Sequence, residues 1–158
     1  MAISILIPID FSVESLNTLK IALDKNKNES VHVIMIYAQN LSSSITELLF
    51  QSSRKIIQSL RSKDFDDALN ILKNSYESSL QSLQIELFHG SNVQALNNFV
   101  AAKKIDIIYI PQHYRLQLLK SGFNPLPLIK NANIPFQEVS WKSDDNASNN
   151  NAINQLFI

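Results

Sequence analysis

Short apolar runs rich in β-branched residues alternate, along most of the chain, with stretches whose apolar positions recur every three or four residues. Ile3 to Ile9 is such a run, halted by Asp10, and reads as a buried strand. Behind it Ser12 is placed to cap a helix whose inner face carries Val13, Leu16, Leu19 and Leu23, up to the polar stretch Asp24-Lys25-Asn26-Lys27-Asn28-Glu29. Val31 to Tyr37 is apolar on both faces, which predicts a strand in a sheet covered from both sides.

A long crossover follows. Ser44-Ile45-Thr46-Glu47 has the form of a capping box, opening a helix with Ile45, Leu49, Ile56 and Leu60 on one side. Beyond Arg61-Ser62-Lys63 the residues Phe65, Leu69, Leu72 and Tyr76 continue a helical spacing, so the segment is one broken helix or two. Gln84 to His89 alternates polar and apolar as a half-exposed edge strand does, and Gly90 ends it in a turn. Ser91 or Asn92 then caps a helix presenting Val93, Leu96 and Val100. Ile105 to Ile110 is a further buried strand, closed by Pro111. Asn124 is placed as the N-cap of a short helix with Pro125 in its first position, and Phe136 to Trp141 is the last strand. Five strands alternating with helices predict a single doubly wound α/β domain with a parallel sheet over residues 1–141. Residues 142–158 read as a flexible polar tail, with an apolar tip from Ile153 to Ile158.

Composition removes several kinds of chemistry. The 158 residues include two glycines, Gly90 and Gly122, too few and too far apart for the Gly-rich turns that bring backbone N–H groups against phosphate in dinucleotide-binding and P-loop folds. The absence of cysteine excludes thiol nucleophiles, disulfides and thiolate metal sites, and accords with a reducing compartment. Lys+Arg at 14 balance Asp+Glu at 14, so no broad footprint for nucleic acid or an anionic membrane is expected. Met1 to Ile9 lacks the basic segment of a signal peptide, and no apolar run reaches the roughly 20 residues that span a bilayer. The expected setting is the cytoplasm.

In open α/β sheets ligands bind beyond the carboxyl ends of the strands, where strand order reverses. The candidates are therefore Pro8, Asp10 and Phe11 after the first strand, Tyr37 to Asn40 after the second, and Pro111 to Arg115 after the fourth. Of the histidines, His32 and His89 belong to a strand and a strand end, where hydrogen-bonded structural roles prevail. His113 falls at the expected switch point beside Tyr114 and Arg115, as an acid–base or anion-contacting group or as part of a solvated loop. No histidine pair has metal-ligand spacing, so no metal site is expected, and no catalytic constellation such as G-x-S-x-G is present.

The stretch Ile5-Leu6-Ile7-Pro8-Ile9-Asp10-Phe11-Ser12, running on to Leu16-Asn17-Thr18-Leu19, resembles the opening of universal stress proteins. Val31 to Tyr37, His89-Gly90, Asp106 to Ile110 and Ile134-Pro135-Phe136 follow in the order that family shows, over residues 2–141. The resemblance implies a Rossmann-like sheet of order 3-2-1-4-5 with a crevice between Asp10 and Pro111. ATP-binding members carry a G-x-x-G, nine residues, G-[ST] loop after the fourth strand. Here Pro111 and Tyr114 stand at the first two glycines, Gly122 matches the third, Phe123 replaces the hydroxyl residue, and the loop is about two residues short. Tyr114 puts a phenol where backbone should approach phosphate, and Pro125 and Pro127 remove N–H donors from the helix start.

Two readings result. In the first, the chain is a stress-response or regulatory protein acting through protein contacts, without ATP binding of the family type, no cofactor, and a homodimer formed by the edge strand bearing Phe136, Val139 and Trp141. In the second, the crevice takes a nucleotide such as ATP or AMP, or another small molecule, with Asp10, Ile36, His113, Arg115 and Gly122 around it. Asp10 and Ile36 match the family's base-side positions, although Asp10 would equally serve as a helix cap and Ile36 as core. Arg115 would pair with phosphate. The discriminating feature is whether the crevice is open or filled by Tyr114 and Phe123.

Overall fold

The computed structural model describes residues 2–40, 53–119 and 122–141. The strands are β1 (Ala2–Pro8), β2 (Ser30–Ala38), β3 (Leu80–Phe88), β4 (Ile107–Pro111) and β5 (Phe136–Val139). The helices are α1 (Leu16–Lys25), α2 (Ser53–Leu60), α3 (Lys63–Ser75), α4 (Val93–Ala102) and α5 (Leu126–Lys130). All strand pairs are parallel and the order is β3-β2-β1-β4-β5, so β1 lies at the centre and the order reverses between β1 and β4. This is the doubly wound arrangement that the strand–helix alternation predicts.

The continuous apolar runs are explained by two core layers. Ile5 and Ile7 of β1, with Val31, Val33 and Met35 of β2, face Leu16, Leu19 and Leu23 of α1 and Phe65, Leu69 and Leu72 of α3. On the opposite face Leu6, Ile36 and Ile108 meet Leu96 and Val100 of α4 and Ile129 of α5. Successive residues of a strand point to opposite faces, so a strand covered on both has no place for a polar side chain. Fully burying each such aliphatic side chain contributes about 1.5–3 kcal/mol.

Several boundaries differ from the sequence pattern, each for a local reason. α1 begins at Leu16 instead of directly after Ser12: residues 12–15 form a turn in which Ser12 Oγ accepts from Ser15 N at 3.2 Å, as a cap does, and Ser15 Oγ donates to the Ser12 carbonyl at 2.8 Å. The long crossover holds two helices: Ser62 is extended between them, and its Oγ accepts from Phe65 N at 3.1 Å as the α3 cap. Asn92, rather than Ser91, caps α4 by accepting from Ala95 N at 2.8 Å. Pro125 is the residue preceding α5 and Leu126 its first, since Asn124 Oδ1 accepts from Leu126 N at 3.0 Å and starts the helix one position later than expected. β3 starts four residues ahead of Gln84, in register with β2, and His32 Nδ1 meets Ser82 Oγ at 2.8 Å across that pair. β5 ends at Val139, whose carbonyl accepts from Gln112 N at 2.9 Å, and Trp141 turns back over the sheet end. Gly90 does not use a positive φ; a side chain there would collide with Ala95 Cβ at 2.5 Å and the Phe88 ring at 2.6 Å. The expected capping box at Ser44 to Glu47 and the tail from 142 onward lie outside the described residues. Among the described residues no helix is long and apolar enough to cross a membrane.

Candidate functional site

The carboxyl end of β1 delivers Asp10 to the point where strand order reverses. Asp10 is only 2% exposed, and both of its oxygens are engaged by the chain itself. Oδ1 accepts from Ser12 N at 2.9 Å and from Ser12 Oγ at 2.5 Å, a local turn closed by an aspartate on its own backbone two residues on. Oδ2 accepts from the Tyr114 hydroxyl at 2.6 Å and from Gln117 N at 2.7 Å. A carboxylate offers about four acceptor positions, and four donors meet this one. Ser12 Oγ also approaches the Tyr114 hydroxyl at 2.9 Å and accepts from Ser15 N at 3.2 Å. The turn holds Phe11 at a φ of 64°, a left-handed conformation unfavourable for a bulky residue. Its ring is fixed there against Tyr37 and Phe65, at centroid distances of 5.3 and 5.4 Å.

Tyr114 comes from the loop after β4. Its ring lies on Trp141 with centroids 4.2 Å apart and planes inclined by 34°, and Trp141 Nε1 donates to Thr18 Oγ1 on α1 at 2.9 Å. Burial, reinforced by the Asp10 carboxylate, pushes the Tyr114 phenol well above its ordinary value, although Ser12 acts in the opposite direction. The phenol therefore remains a donor throughout the neutral range. Further along the loop Leu116 is buried and Leu119 N donates to the Tyr37 hydroxyl at 3.0 Å. Burial likewise raises the Tyr37 phenol, against the lowering effect of that Leu119 N–H.

The candidate residues do not all converge. Asp10 and Tyr114 meet directly. His113 and Arg115 flank Tyr114 in sequence but are exposed. Ile36 is fully buried in the layer beneath α4 and α5. Gly122 sits at the end of β2, bridged to Gln39, and a Cβ there would lie 2.2 Å from the Tyr37 hydroxyl. Phe123 belongs to the same layer as Ile36, with its ring 6.4 Å from that of Phe88, so Tyr114 covers Asp10 without it. Of the three side chains expected on the β5 edge, Phe136 is 38% exposed, whereas Val139 is 3% exposed in the chain's own core and Trp141 is held by Tyr114 and Thr18. Sequence reasoning did not foresee Gln117 or Thr18 as members of this cluster. The Asp10-x-Ser12 spacing is the one local signal for it, since that spacing suits an aspartate turn.

Known proteins agree with this architecture. The model of the universal stress protein family matches residues 1–136. No curated protein matches the chain significantly. Among solved structures, universal stress protein UspA from Lactobacillus plantarum is 11% identical, with a TM-score of 0.53 over 87% of this chain and 97% of that one. A universal stress protein in complex with cAMP is 13% identical, with a TM-score of 0.52 over 87% and 96%. A universal stress protein family protein from Arabidopsis thaliana with AMP bound is 12% identical, with a TM-score of 0.50 over 93% and 97%. At these identities the structural likeness speaks for the fold, which the strand order shares, and the family match covers most of the chain. The chain belongs to the universal stress protein family.

Proposed function

We propose that this chain is a stress-response or regulatory protein that acts through protein contacts and does not bind ATP in the manner expected of the family. The observation that carries this reading is the saturation of Asp10: Ser12, Tyr114 and Gln117 supply four donors to a carboxylate that a nucleoside would otherwise engage. The replacement of loop glycines by Pro111 and Tyr114 supports the same conclusion, because Pro111 has no N–H to offer and Tyr114 brings a side chain where bare backbone would approach phosphate. In this reading two copies pair through β5, with Phe136 and the open backbone edge as the contact, since Val139 and Trp141 are used within the chain.

Thermal unfolding with ATP–Mg, AMP and cAMP tests it. A ligand at about 100 times its Kd stabilises the folded chain by about 2.7 kcal/mol, several degrees in Tm for a domain of this size. The reading expects no shift with any of the three at millimolar concentration; a dose-dependent rise would refute it.

The alternative, a nucleotide-binding protein using the crevice between β1 and β4, is favoured by the cAMP and AMP in two of the similar structures. It requires Tyr114 to leave Asp10, and the same titration decides between the two.

A further inference from the structure

We infer that Tyr114 is an internal ligand, and that the place it fills is a binding site for phenol-class rings built from Asp10, Ser12 and the face of Trp141. The inference rests on the reading that Asp10 is occupied from within, and adds what chemistry the site accepts.

Three contacts define the chemistry. A planar ring lies 4.2 Å from the Trp141 ring at a tilt of 34°, its hydroxyl donates to Asp10 Oδ2 at 2.6 Å, and the hydroxyl oxygen lies 2.9 Å from Ser12 Oγ. Each wall has a tie outside the Tyr114 loop. Asp10 Oδ1 is held by Ser12 N and Ser12 Oγ, Ser12 Oγ accepts from Ser15 N, and the indole of Trp141 is tied to α1 through Thr18. Tyr114, by contrast, lies in the irregular stretch after β4, between exposed His113 and exposed Arg115. A rigid receptor and a tethered occupant meet here, so the occupant can leave while the receptor stands. An outside phenol competes with a tethered one, and its apparent affinity is reduced by the fraction of chains in which Tyr114 is out. The preferred ligand is a small phenol or another planar ring carrying a hydroxyl donor.

The test is chemical complementation in the full chain. Tyr114→Ala empties the site and leaves Trp141, the sole tryptophan, as a reporter of what enters it. Titrating that variant with p-cresol is expected to produce a saturable blue shift of the Trp141 emission. With p-methylanisole, which has the ring but no donor, binding should be at least about ten-fold weaker, the equivalent of one charge-assisted hydrogen bond. Wild-type protein should need at least about ten-fold more p-cresol than the variant. If Tyr114→Ala does not fold alone, p-cresol present during refolding must restore a cooperative melting transition. Absence of saturable binding or of rescue, or equal binding of the two compounds, overturns the inference. These outcomes are independent of ATP: nucleotide binding by the wild-type chain would refute the proposed function, whereas failure of p-cresol alone would refute only the internal-ligand site.

Discussion

Removing one hydroxyl from Tyr114 isolates the contact on which the account depends. Tyr114→Phe keeps the ring on Trp141 and deletes the donor that lies 2.6 Å from Asp10 Oδ2. A hydrogen bond to a charged group contributes about 1.5–3 kcal/mol, and partial exposure of Tyr114 lets water replace some of it, so the expected loss is about 1–2 kcal/mol. For a domain of this size that lowers Tm by about 2–8 °C. Asp10→Asn should cost more, about 2–4 kcal/mol. Each carboxylate oxygen takes one backbone N–H, from Ser12 on one side and Gln117 on the other, so either orientation of the amide points its NH₂ at a buried backbone donor. Urea unfolding of both single variants and the double variant gives the coupling directly. The double variant should lose at least about 1 kcal/mol less than the sum of the singles. Additivity to within about 0.5 kcal/mol would mean that Tyr114 and Asp10 do not act on each other, and the reasoning would fail.

Three other outcomes follow from the same geometry. Gly122→Ala should destabilise by about 1–3 kcal/mol, because its Cβ would meet the buried Tyr37 hydroxyl at 2.2 Å, and Tyr37→Phe in that background should recover part of the loss in thermal unfolding. His89, held below its ordinary imidazole value by burial, stays neutral in the fold while the unfolded chain takes up a proton; stability is thus present above about pH 6.5 and is lost as the pH falls through the lower folded value, a loss that His89→Gln should lessen in urea titrations across that range. Phe136→Asp should shift the chain from dimer to monomer in sedimentation at tens of micromolar, with little effect on Tm, since Phe136 is 38% exposed; a wild-type chain that is already monomeric there refutes pairing through β5.

The sheet was legible because its strands are buried on both faces. Ile3 to Ile9 and Val31 to Tyr37 carry no polar residue at positions a one-sided sheet would leave wet, apart from Ser4 and His32 near their starts. Local capping was legible less often. Ser12 accepts from Ser15 N as a cap does, but its hydroxyl also donates to Asp10, and a turn separates it from the helix that starts at Leu16. The start of β3 was hidden because Gln81 and Ser82 resemble a turn, while pairing with β2 makes them strand. For the site, the sequence placed Asp10 and Tyr114 at facing strand ends, and the family resemblance marked Tyr114 as misplaced for phosphate. What it could not convey was contact: Tyr114 is 104 positions from Asp10, and Trp141 is 123 positions from Thr18. No local pattern encodes such pairings. Ile36 shows the converse, a position that the family resemblance offers for a base and that packing here places fully inside the layer beneath α4 and α5.

Calorimetric titration of the wild-type chain with ATP–Mg tests the central claim most directly, since it asks whether a carboxylate already holding four donors can take a nucleotide. No saturable heat is expected up to about 1 mM ligand, the limit of about −4 kcal/mol in binding free energy. A stoichiometric isotherm with a micromolar Kd would contradict it.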